Sequence, residues 1–246
     1  MSVQSRDKSS KPAARRAAAF YDMDGTLVDI NLLHVTAFFL SNRAEWLGRL
    51  SGLTALAARL PLLYLAERYD RHLLNVQMFA LLHGISRDRL IVVGEEYCER
   101  VLMRSLYRPA LKVLEGNRAA GLEPVLVSGS PDFIVAPLAR RLGIERFAAN
   151  ELVYSRGYTT GRLREPVMAG EQKALWCQRL AAHLGLELAD CWGYADSYYD
   201  LPFLAAIGHP VAVNPDRRLA ATASIRQWPI VRFRNDHGRG ESRGEA

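Results

Sequence analysis

The chain of 246 residues contains little cysteine and little lysine, and it has no long apolar run. Its three cysteines are an odd number, lie far apart and form no Cys-x-x-Cys, which argues against a disulfide framework and a zinc site. No run of about 18 apolar residues is present, so we expect no transmembrane helix. We also expect no signal peptide, because the N-terminus has no hydrophobic region of the required length. These absences favour a folded protein of the reducing cytoplasm.

Positive charge is concentrated at the N-terminus. Residues 1–19 carry five basic side chains and one acidic one, whereas the whole chain has a formal charge of +6. We therefore expect a flexible basic arm over 1–16, a flexible tail over 234–246 and a nearly neutral body between them. Because the excess charge lies mostly in an arm, we expect no nucleic-acid partner.

The order of sequence patterns predicts an α/β protein. A strand is predicted at 17–22. Apolar residues then recur at three- and four-residue spacing over 31–107, which indicates helices, with a break predicted between 44–58 and 61–82 at Pro61. From 108 to 233 strands alternate with helices, and the last two strands, 210–213 and 230–233, are predicted at sheet edges. This pattern favours a parallel sheet covered by helices on both faces. We expect an α/β core, 17–30 and 108–233, and a helical cap, 31–107, inserted into it.

Two carboxylates follow the first predicted strand. Asp22 and Asp24 lie two residues apart, directly after an apolar run and before a Gly-Thr pair. Residues just past the carboxyl end of such a strand project into a crevice. A calcium-binding EF-hand loop would need glycine at position 6 and glutamate at position 12, where this chain has Leu27 and Leu33. The sequence therefore predicts an active-site loop here and excludes an EF-hand.

Three further polar pieces follow later elements. Ser128-Gly129 ends a strand before a helix start, where hydroxyl and amide groups can bind an anion, although Ser128 alone is equally well explained as a helix cap. Lys173 opens a helix and is one of four lysines against 28 arginines. Its compact ammonium suits a crowded phosphoryl site. Asp196 ends a strand, and Asp200 follows four residues later. A parallel sheet would bring all of these pieces to one edge.

In this order the motifs resemble those of the haloacid dehalogenase superfamily. The run Asp22-Met-Asp24-Gly-Thr resembles its nucleophile loop, and the helical cap that follows resembles its subfamily IB, the phosphoserine phosphatase-like branch. The resemblance covers about 17–233. It implies a Rossmann-like core and a Mg²⁺-dependent phosphatase that forms an aspartyl-phosphate, which divides a difficult hydrolysis into two steps.

The resemblance also implies a role for each site residue. Asp22 is expected to be the nucleophile and Asp24 the general acid and base. Asp200 is expected to orient Lys173 or a metal-bound water. The expected phosphate-binding residues are Ser128, Gly129 and Lys173. The expected Mg²⁺ ligands are Asp22, Asp24 through its backbone carbonyl, and Asp196.

The substrate is defined only as a small phosphomonoester. Phosphoserine phosphatases carry a glutamate nine residues after the nucleophile, where this chain has Asn31, and a neutral amide offers no charge to pair with an ammonium. We expect Asn31 to influence selectivity. Alternatives are a phosphatidylglycerophosphatase-like enzyme of phospholipid head groups at a membrane surface, a phosphomutase and a non-catalytic phosphoryl-binding protein. The apolar cap favours a self-packed bundle, with weak membrane-surface association as the alternative. The sequence predicts no oligomeric state.

Overall fold

A computed structural model describes residues 17–30, 32–42, 46–69 and 71–234, and describes no side chains for residues 32, 46–49, 64–69 and 71. The predicted basic arm, the predicted tail beyond residue 234 and Asn31 lie outside the described residues. The described chain forms a six-stranded parallel sheet, with helices and two hydrophobic cores on its two faces, and a separate two-stranded hairpin. The predicted fold class is therefore confirmed.

The order of the strands creates a crevice in the middle of the sheet. The strands are β1 (Ala17–Tyr21), β2 (Leu122–Pro131), β3 (Arg146–Asn150), β4 (Leu152–Ser155), β5 (Tyr158–Leu163), β6 (Trp192–Ala195), β7 (His209–Val213) and β8 (Ile230–Val231). The large sheet has the order β3-β2-β1-β6-β7-β8, and β4 pairs with β5. The order reverses between β1 and β6, and α/β sheets bind ligands at such a switch point, beyond the carboxyl ends of the strands.

The central strand β1 is fixed on all sides. Ala18 and Phe20 belong to the hydrophobic core on one face of the sheet, and Ala19 and Tyr21 to the core on the other. This alternation follows from the two-residue period of a strand, and the strand reads as a continuous apolar run because both faces are covered. Parallel pairing with β2 and β6 holds its two edges. The residue that follows Tyr21 therefore starts from a rigid support.

Six of the described α-helices lie between β1 and β2. The α-helices are α1 (Leu32–Ser41), α2 (Trp46–Tyr69), α3 (Arg71–Ala80), α4 (Arg87–Tyr97), α5 (Met103–Ser105), α6 (Arg108–Ala119), α7 (Asp132–Arg141), α8 (Glu171–Leu184), α9 (Leu201–Ala205) and α10 (Arg217–Ile225). A π-helical turn, Cys98–Leu102, joins α4 to α5, and 3₁₀ turns occupy Leu188–Asp190 and Tyr198–Asp200. None of the helices described is long and apolar enough to cross a lipid bilayer.

The predicted break at Pro61 is wrong, because α2 continues through it to Tyr69. Proline removes one backbone donor, which leaves the carbonyl four residues earlier, at Ala57, without its usual partner. Pro61 and Ala57 both occupy exposed positions, where water can serve that carbonyl. The interruption comes instead between α2 and α3. The predicted helix over 61–82 is thus the end of one helix and the whole of another.

Two further details differ from the sequence predictions. Strand β7 is not an edge strand, because it pairs with β6 on one side and with the short β8 on the other. Helix α10 was not predicted, since its Ala-Ala-Thr-Ala-Ser centre gives little apolar periodicity. Its start is nevertheless marked by Asp216, whose Oδ1 accepts a hydrogen bond from the Leu219 amide at 2.8 Å.

The helices between β1 and β2 pack against the α/β part at two places. Helix α4 crosses α7 so closely that a Cβ on Gly94 would lie 2.1 Å from the carbonyl oxygen of Phe133. The β4–β5 hairpin contacts α3, where a Cβ on Gly161 would lie 3.0 Å from the carbonyl oxygen of Ala80. These contacts place α3 and α4 beside the carboxyl-end loops of the sheet. The predicted cap boundaries, 31 and 107, stay a prediction.

Candidate active site

The loop after β1 begins with a buried carboxylate. Asp22 is 4% exposed, and its backbone amide donates to the carbonyl of Tyr194 in β6 at 2.9 Å, which extends the pairing of the strands by one residue. The loop turns at Gly25, which has a φ of +74°. A Cβ at that position would lie 2.2 Å from Oδ2 of Asp196. Glycine is therefore required both for the turn and for the approach of Asp196.

Lys173 connects two carboxylates from different strands. It lies in the first turn of α8, is 5% exposed, and its Nζ is 2.7 Å from Oδ1 of Asp22 and 2.8 Å from Oδ1 of Asp200. Asp200 is equally buried and follows β6 through a 3₁₀ turn. A buried lysine at a helix N-terminus is unfavourable unless carboxylates compensate it, so this ammonium is fixed by its two partners.

Burial and charge act in opposite directions at this triad. Burial disfavours the Lys173 ammonium, but the charges and hydrogen bonds of Asp200 and Asp22 outweigh it and raise the pKa of Lys173. Burial raises the pKa of Asp22 to about 7, with Asp200 and Asp24 adding to the rise and Lys173 opposing it. Burial and the two neighbouring carboxylates together therefore outweigh Lys173, and the ionised form of Asp22 is disfavoured.

Ser130 links the second polar piece to Asp24. The Ser130 hydroxyl donates to Oδ2 of Asp24 at 2.7 Å, which orients that carboxyl group. The Ser130 amide donates to the hydroxyl oxygen of Ser128 at 2.9 Å. Ser128 is fully buried behind this loop, and this bond leaves its own hydroxyl hydrogen available for donation. Ser130 therefore contacts both neighbours, Asp24 through its hydroxyl and Ser128 through its backbone amide.

Two asparagines at strand ends brace the loops of the site. Asn150, the last residue of β3, donates to the carbonyl of Gly129 at 2.7 Å and accepts from the amide of Met168 at 2.7 Å. Asn214, after β7, donates to the carbonyl of Gly25 at 3.2 Å. Each amide joins segments that are distant in sequence, so both residues fix the shape of the site without lying in its centre.

Three carboxylates can share one metal ion. Asp22, Asp196 and Asp200 each offer an oxygen, and these oxygens lie within 4.8 Å of one another. Carboxylate oxygens are hard donors, which Mg²⁺ prefers. The site also carries more carboxylates than the single ammonium of Lys173 can balance, so the residues present fit a divalent cation. The arrangement differs from the expected ligand set in one respect, because Asp200 lies among the candidate ligands as well as beside Lys173.

A pocket that is open to solvent meets this group of residues. The predicted residues that line it are Asp22, Asp24, Gly129, Lys173 and Asp200. Helix α3 contributes Asn75, which is almost fully buried. Its Nδ2 is 3.3 Å from the position that a Cβ on Gly129 would occupy, so the bare backbone of Gly129 allows the amide to lie over the loop.

The structure brings the predicted residues together, although two of them do not line the cavity. Ser128 lies behind the cavity wall, and Asp196 reaches the carboxylate group from behind Gly25. Asn31 lies outside the described residues. Sequence reasoning missed Asn75, Ser130 and Asn150. For Asn150 a signal existed, because it directly follows the apolar run 147–149 in the part of the chain where strands alternate with helices. Asn75 is a single asparagine in a helical stretch and gives no such signal.

The chain is similar to known proteins in both sequence and structure. Residues 19–205 match the family model described as haloacid dehalogenase-like hydrolase. A probable phosphatase of Mycobacterium tuberculosis is 30% identical over 231 residues, which cover 89% of this chain and 76% of that protein. A phosphoserine phosphatase of the same organism is 30% identical over 224 residues, covering 91% and 73%. A solved structure of a protein of unknown function from Bordetella pertussis has a TM-score of 0.76 and 28% identity, covering 89% of this chain and 99% of that one.

Proposed function

We propose that this chain, which belongs to the haloacid dehalogenase-like hydrolases and is a phosphatase of that family, hydrolyses phosphomonoesters through an aspartyl-phosphate formed on Asp22. The observation that carries the proposal is the buried ammonium of Lys173, 2.7 Å from Asp22 and 2.8 Å from Asp200 at the carboxyl edge of the sheet. This contact holds the proposed nucleophile in one orientation. It also sets a positive charge where a phosphoryl group would gather negative charge in the transition state.

In the proposed first step, a carboxylate oxygen of Asp22 attacks phosphorus. The new oxygen–phosphorus bond forms while the ester bond to the leaving oxygen breaks, and the carboxyl group of Asp24 gives its proton to that oxygen. Ser130 supports this role, because its hydroxyl holds Oδ2 of Asp24 at 2.7 Å. The phosphoryl oxygens would face the backbone of Gly129 near the end of β2, the start of α7, and the ammonium of Lys173.

In the proposed second step, water hydrolyses the aspartyl-phosphate. Asp24, now ionised, takes a proton from the water as its oxygen attacks phosphorus, and the bond between phosphorus and Asp22 breaks. Phosphate leaves, the carboxylate of Asp22 is restored, and Asp24 is protonated again. One pair of carboxyl groups thus completes the cycle without an external acid or base.

The proposal includes Mg²⁺, which would be held by Asp22, Asp196 and the backbone carbonyl of Asp24. When bound, a divalent cation would neutralise the excess carboxylate charge and polarise a phosphoryl oxygen. Asp200, which lies among the candidate ligands, would keep Lys173 in place beside it. The raised pKa of Asp22 supports this part of the proposal, because an effective nucleophile must be ionised at neutral pH and burial alone works against that.

The surroundings of the cavity support a substrate other than phosphoserine. Phosphoserine carries a carboxylate and an ammonium beside its phosphate. Among the described residues that line the cavity, Lys173 is the one cation, and two carboxylates already engage it. Asn75 adds a neutral amide, which suits a polar, uncharged group. We therefore propose a small phosphomonoester whose remainder is recognised by neutral hydrogen bonding, and the role of Asn31 stays a prediction.

The proposal also covers the subfamily of the chain and its location in the cell. The helices between β1 and β2 support membership of subfamily IB, with the helical stretch 31–107 as a cap and 17–30 with 108–233 as the core. Cys98, Cys177 and Cys191 are buried free thiols, which supports a location in the reducing cytoplasm.

The test is phosphate release from a panel of phosphomonoesters. Purified protein is assayed with p-nitrophenyl phosphate, phosphoserine, histidinol phosphate and phosphatidylglycerophosphate, each with Mg²⁺ and with EDTA. We expect Mg²⁺-dependent release with a preference for a substrate other than phosphoserine. Transfer of the phosphoryl group to a second hydroxyl, without free phosphate, would indicate a phosphomutase. Activity that persists in EDTA would contradict the metal requirement, and no turnover of any ester would contradict the enzymatic proposal.

A further inference from the structure

One residue after β7 holds the loop that carries Asp196 at two points. The amide of Asp216 donates to the backbone carbonyl of Asp196 at 2.9 Å. Oδ2 of Asp216 accepts from the amide of Tyr198 at 2.7 Å. The two bonds hold the peptide groups on either side of Ser197, so they fix the turn in which the chain leaves β6. The direction in which the Asp196 side chain projects depends on that turn.

The contacts of Asp216 exceed what a helix cap requires. As the N-cap of α10 it uses Oδ1, which accepts from the Leu219 amide at 2.8 Å. The bond from Tyr198 uses the other carboxylate oxygen and joins a different element, the 3₁₀ turn Tyr198–Asp200. Serine or asparagine would cap α10 about as well as aspartate. The second bond therefore indicates a role outside α10.

Neighbours of Asp216 support the same part of the site. The guanidinium carbon of Arg218, in the first turn of α10, lies 3.9 Å from the ring centre of Tyr198. Two residues before Asp216, Asn214 donates to the carbonyl of Gly25 at 3.2 Å. The connection between β7 and α10, residues 214–216, thus contacts both loops that carry candidate metal ligands.

Electrostatic repulsion explains why the Asp196 loop needs support. Oxygens of Asp22, Asp196 and Asp200 lie within 4.8 Å of one another, and like charges at this distance repel when no cation lies between them. Asp22 and Asp200 are buried and share Lys173, whereas Asp196 is partly exposed. Without support, the Asp196 loop would relax toward solvent. A loop that is already in place binds a cation without the cost of being ordered.

We propose that Asp216 is a positioning residue for the metal site, which keeps the Asp196 loop in its ligating geometry before the cation binds. The inference rests on the Mg²⁺ requirement of the proposed function and not on the identity of the substrate. Asp216 is not among the residues that line the pocket, so it acts through the backbone of Asp196 and Tyr198. Loss of its second bond should weaken Mg²⁺ binding, because part of the binding free energy is then used to order the loop.

The experiment measures Mg²⁺ binding to the full chain by isothermal titration calorimetry, with the metal alone as the ligand. Asp216→Asn and Asp216→Ser keep a cap for α10 but offer one acceptor oxygen instead of two. In both variants the dissociation constant should rise about tenfold, as expected when a group that orients a metal ligand is lost. The Mg²⁺ concentration for half-maximal turnover of p-nitrophenyl phosphate should rise by the same factor. At saturating Mg²⁺, kcat should change by less than about threefold, since the bound metal restores the loop.

A matched control removes a helix cap elsewhere in the chain. Ser86 is the N-cap of α4, where its hydroxyl oxygen accepts from the Arg89 amide at 3.3 Å. Ser86→Ala should lower the urea midpoint of unfolding and leave the Mg²⁺ dissociation constant unchanged. The metal-free Asp216 variants should unfold in a single cooperative transition, which shows that weaker Mg²⁺ binding does not come from an unfolded chain.

Three outcomes would overturn the inference. Equal Mg²⁺ dissociation constants for the wild type and both Asp216 variants would leave Asp216 as a helix cap, while the proposed phosphatase would stand. Equally weakened binding in Ser86→Ala would show that any loss of stability impairs the site. A wild type that binds no Mg²⁺ would overturn both the inference and the metal part of the proposed function. Calorimetry needs no substrate, so a failure of the phosphatase assay alone would leave this test intact.

Discussion

The carboxyl edge of the sheet and the outer face of α2 depart from the usual distribution of residues in opposite ways. At the sheet edge, Asp22, Lys173 and Asp200 are charged and buried. On α2, Leu50 and Leu60 are apolar and exposed. Folding alone would favour neither arrangement, because burial of charge and exposure of apolar surface both cost free energy.

The two regions differ in how tightly the surrounding protein fixes them. Each charged group at the sheet edge has a partner at hydrogen-bond distance, and the strand before Asp22 is buried on both faces. The leucines of α2 project from a helix that the protein contacts along one narrow stripe. The site is thus held in one geometry by the surrounding protein, whereas no described residue covers the outer face of α2.

The largest effect is expected at the proposed nucleophile. Asp22→Asn should reduce kcat for p-nitrophenyl phosphate at least about 10⁴-fold, since an amide does not attack phosphorus. Asp88→Asn, a change of the same type at an exposed position in α4, should have no effect. The measurement is phosphate release with Mg²⁺, together with circular dichroism to show that the fold is kept. Substantial turnover by Asp22→Asn would remove Asp22 from the nucleophile role.

A large loss of stability is expected where the ammonium is removed. Lys173→Met leaves Asp22 and Asp200 buried without their cation, which should lower the free energy of unfolding by about 3–5 kcal/mol in metal-free buffer. Lys112→Met, at an exposed position, should change it by less than about 0.5 kcal/mol. Urea denaturation measures both. Adding Asp22→Asn and Asp200→Asn to Lys173→Met should recover most of the loss, and failure to recover it would show that the charges were not its cause.

The pH dependence of stability should show that burial disfavours the ionised form of Asp22. Its pKa is about 7 in the folded protein and near 3.8 in the unfolded chain, so the folded state holds the proton over the range between them. The free energy of unfolding of the metal-free protein, relative to that of Asp22→Asn, should therefore fall as pH rises from about 4 to about 7. The expected fall is on the order of 2–4 kcal/mol.

Mg²⁺ should counteract that fall, because a bound cation favours ionised carboxylates. Thermal unfolding of both proteins at several pH values, with and without Mg²⁺, measures the effect. The free energy of unfolding of the wild type, relative to that of Asp22→Asn, could instead rise with pH in the absence of metal. Lys173 would then stabilise the ionised form of Asp22 more than burial and the neighbouring carboxylates destabilise it.

A smaller loss is expected at the group that orients Asp24. Ser130→Ala removes the hydrogen bond to Oδ2 of Asp24, and the loss of such an orienting contact should lower kcat about 10- to 100-fold with little change in KM. Ser155→Ala, at the exposed last residue of β4, serves as the control. Ser130→Thr, which keeps the hydroxyl, should recover part of the rate. If alanine and threonine are equally impaired, the effect comes from packing and not from the hydroxyl.

The smallest effect is expected on α2. Leu60→Gln should change the free energy of unfolding by less than about 0.5 kcal/mol, because the side chain is already exposed to water. Leu56→Gln, on the inner stripe of the same helix, should cost several times more. Urea denaturation of the two variants measures both changes in the free energy of unfolding. Equal losses would show that the outer face packs against protein and would end the contrast between the two regions.

Much of the α/β part follows from the sequence, because local pattern and tertiary environment agree there. Lys173 lies in the first turn of α8, as its predicted place at a helix start requires, and β1 matches the predicted 17–22 within one residue. Asp22, Lys173 and Asp200 come together as expected, since a parallel sheet brings strand ends and helix starts to one edge. These residues lie in short motifs whose chemistry is readable before the fold is known.

The remaining features depend on tertiary contacts that leave no local pattern. Asn75 enters the cavity only because α3 packs over Gly129. Pro61 does not end α2, since its missing hydrogen bond falls on the exposed side of the helix. Helix periodicity alone also did not reveal that the apolar residues of α2 would be divided between a buried stripe and an exposed face. In each case the outcome depends on whether protein or solvent lies against one side of a helix. The sequence gives no local pattern for that tertiary contact.

The central claim is that the phosphoryl group is carried by Asp22. The enzyme is quenched during turnover of p-nitrophenyl phosphate and treated with sodium borohydride, which reduces an aspartyl-phosphate to homoserine. Peptide mass spectrometry then locates the modified residue. We expect homoserine at position 22, and only when substrate and Mg²⁺ are both present. Homoserine at another position, or phosphate release with no modified residue at all, would contradict it.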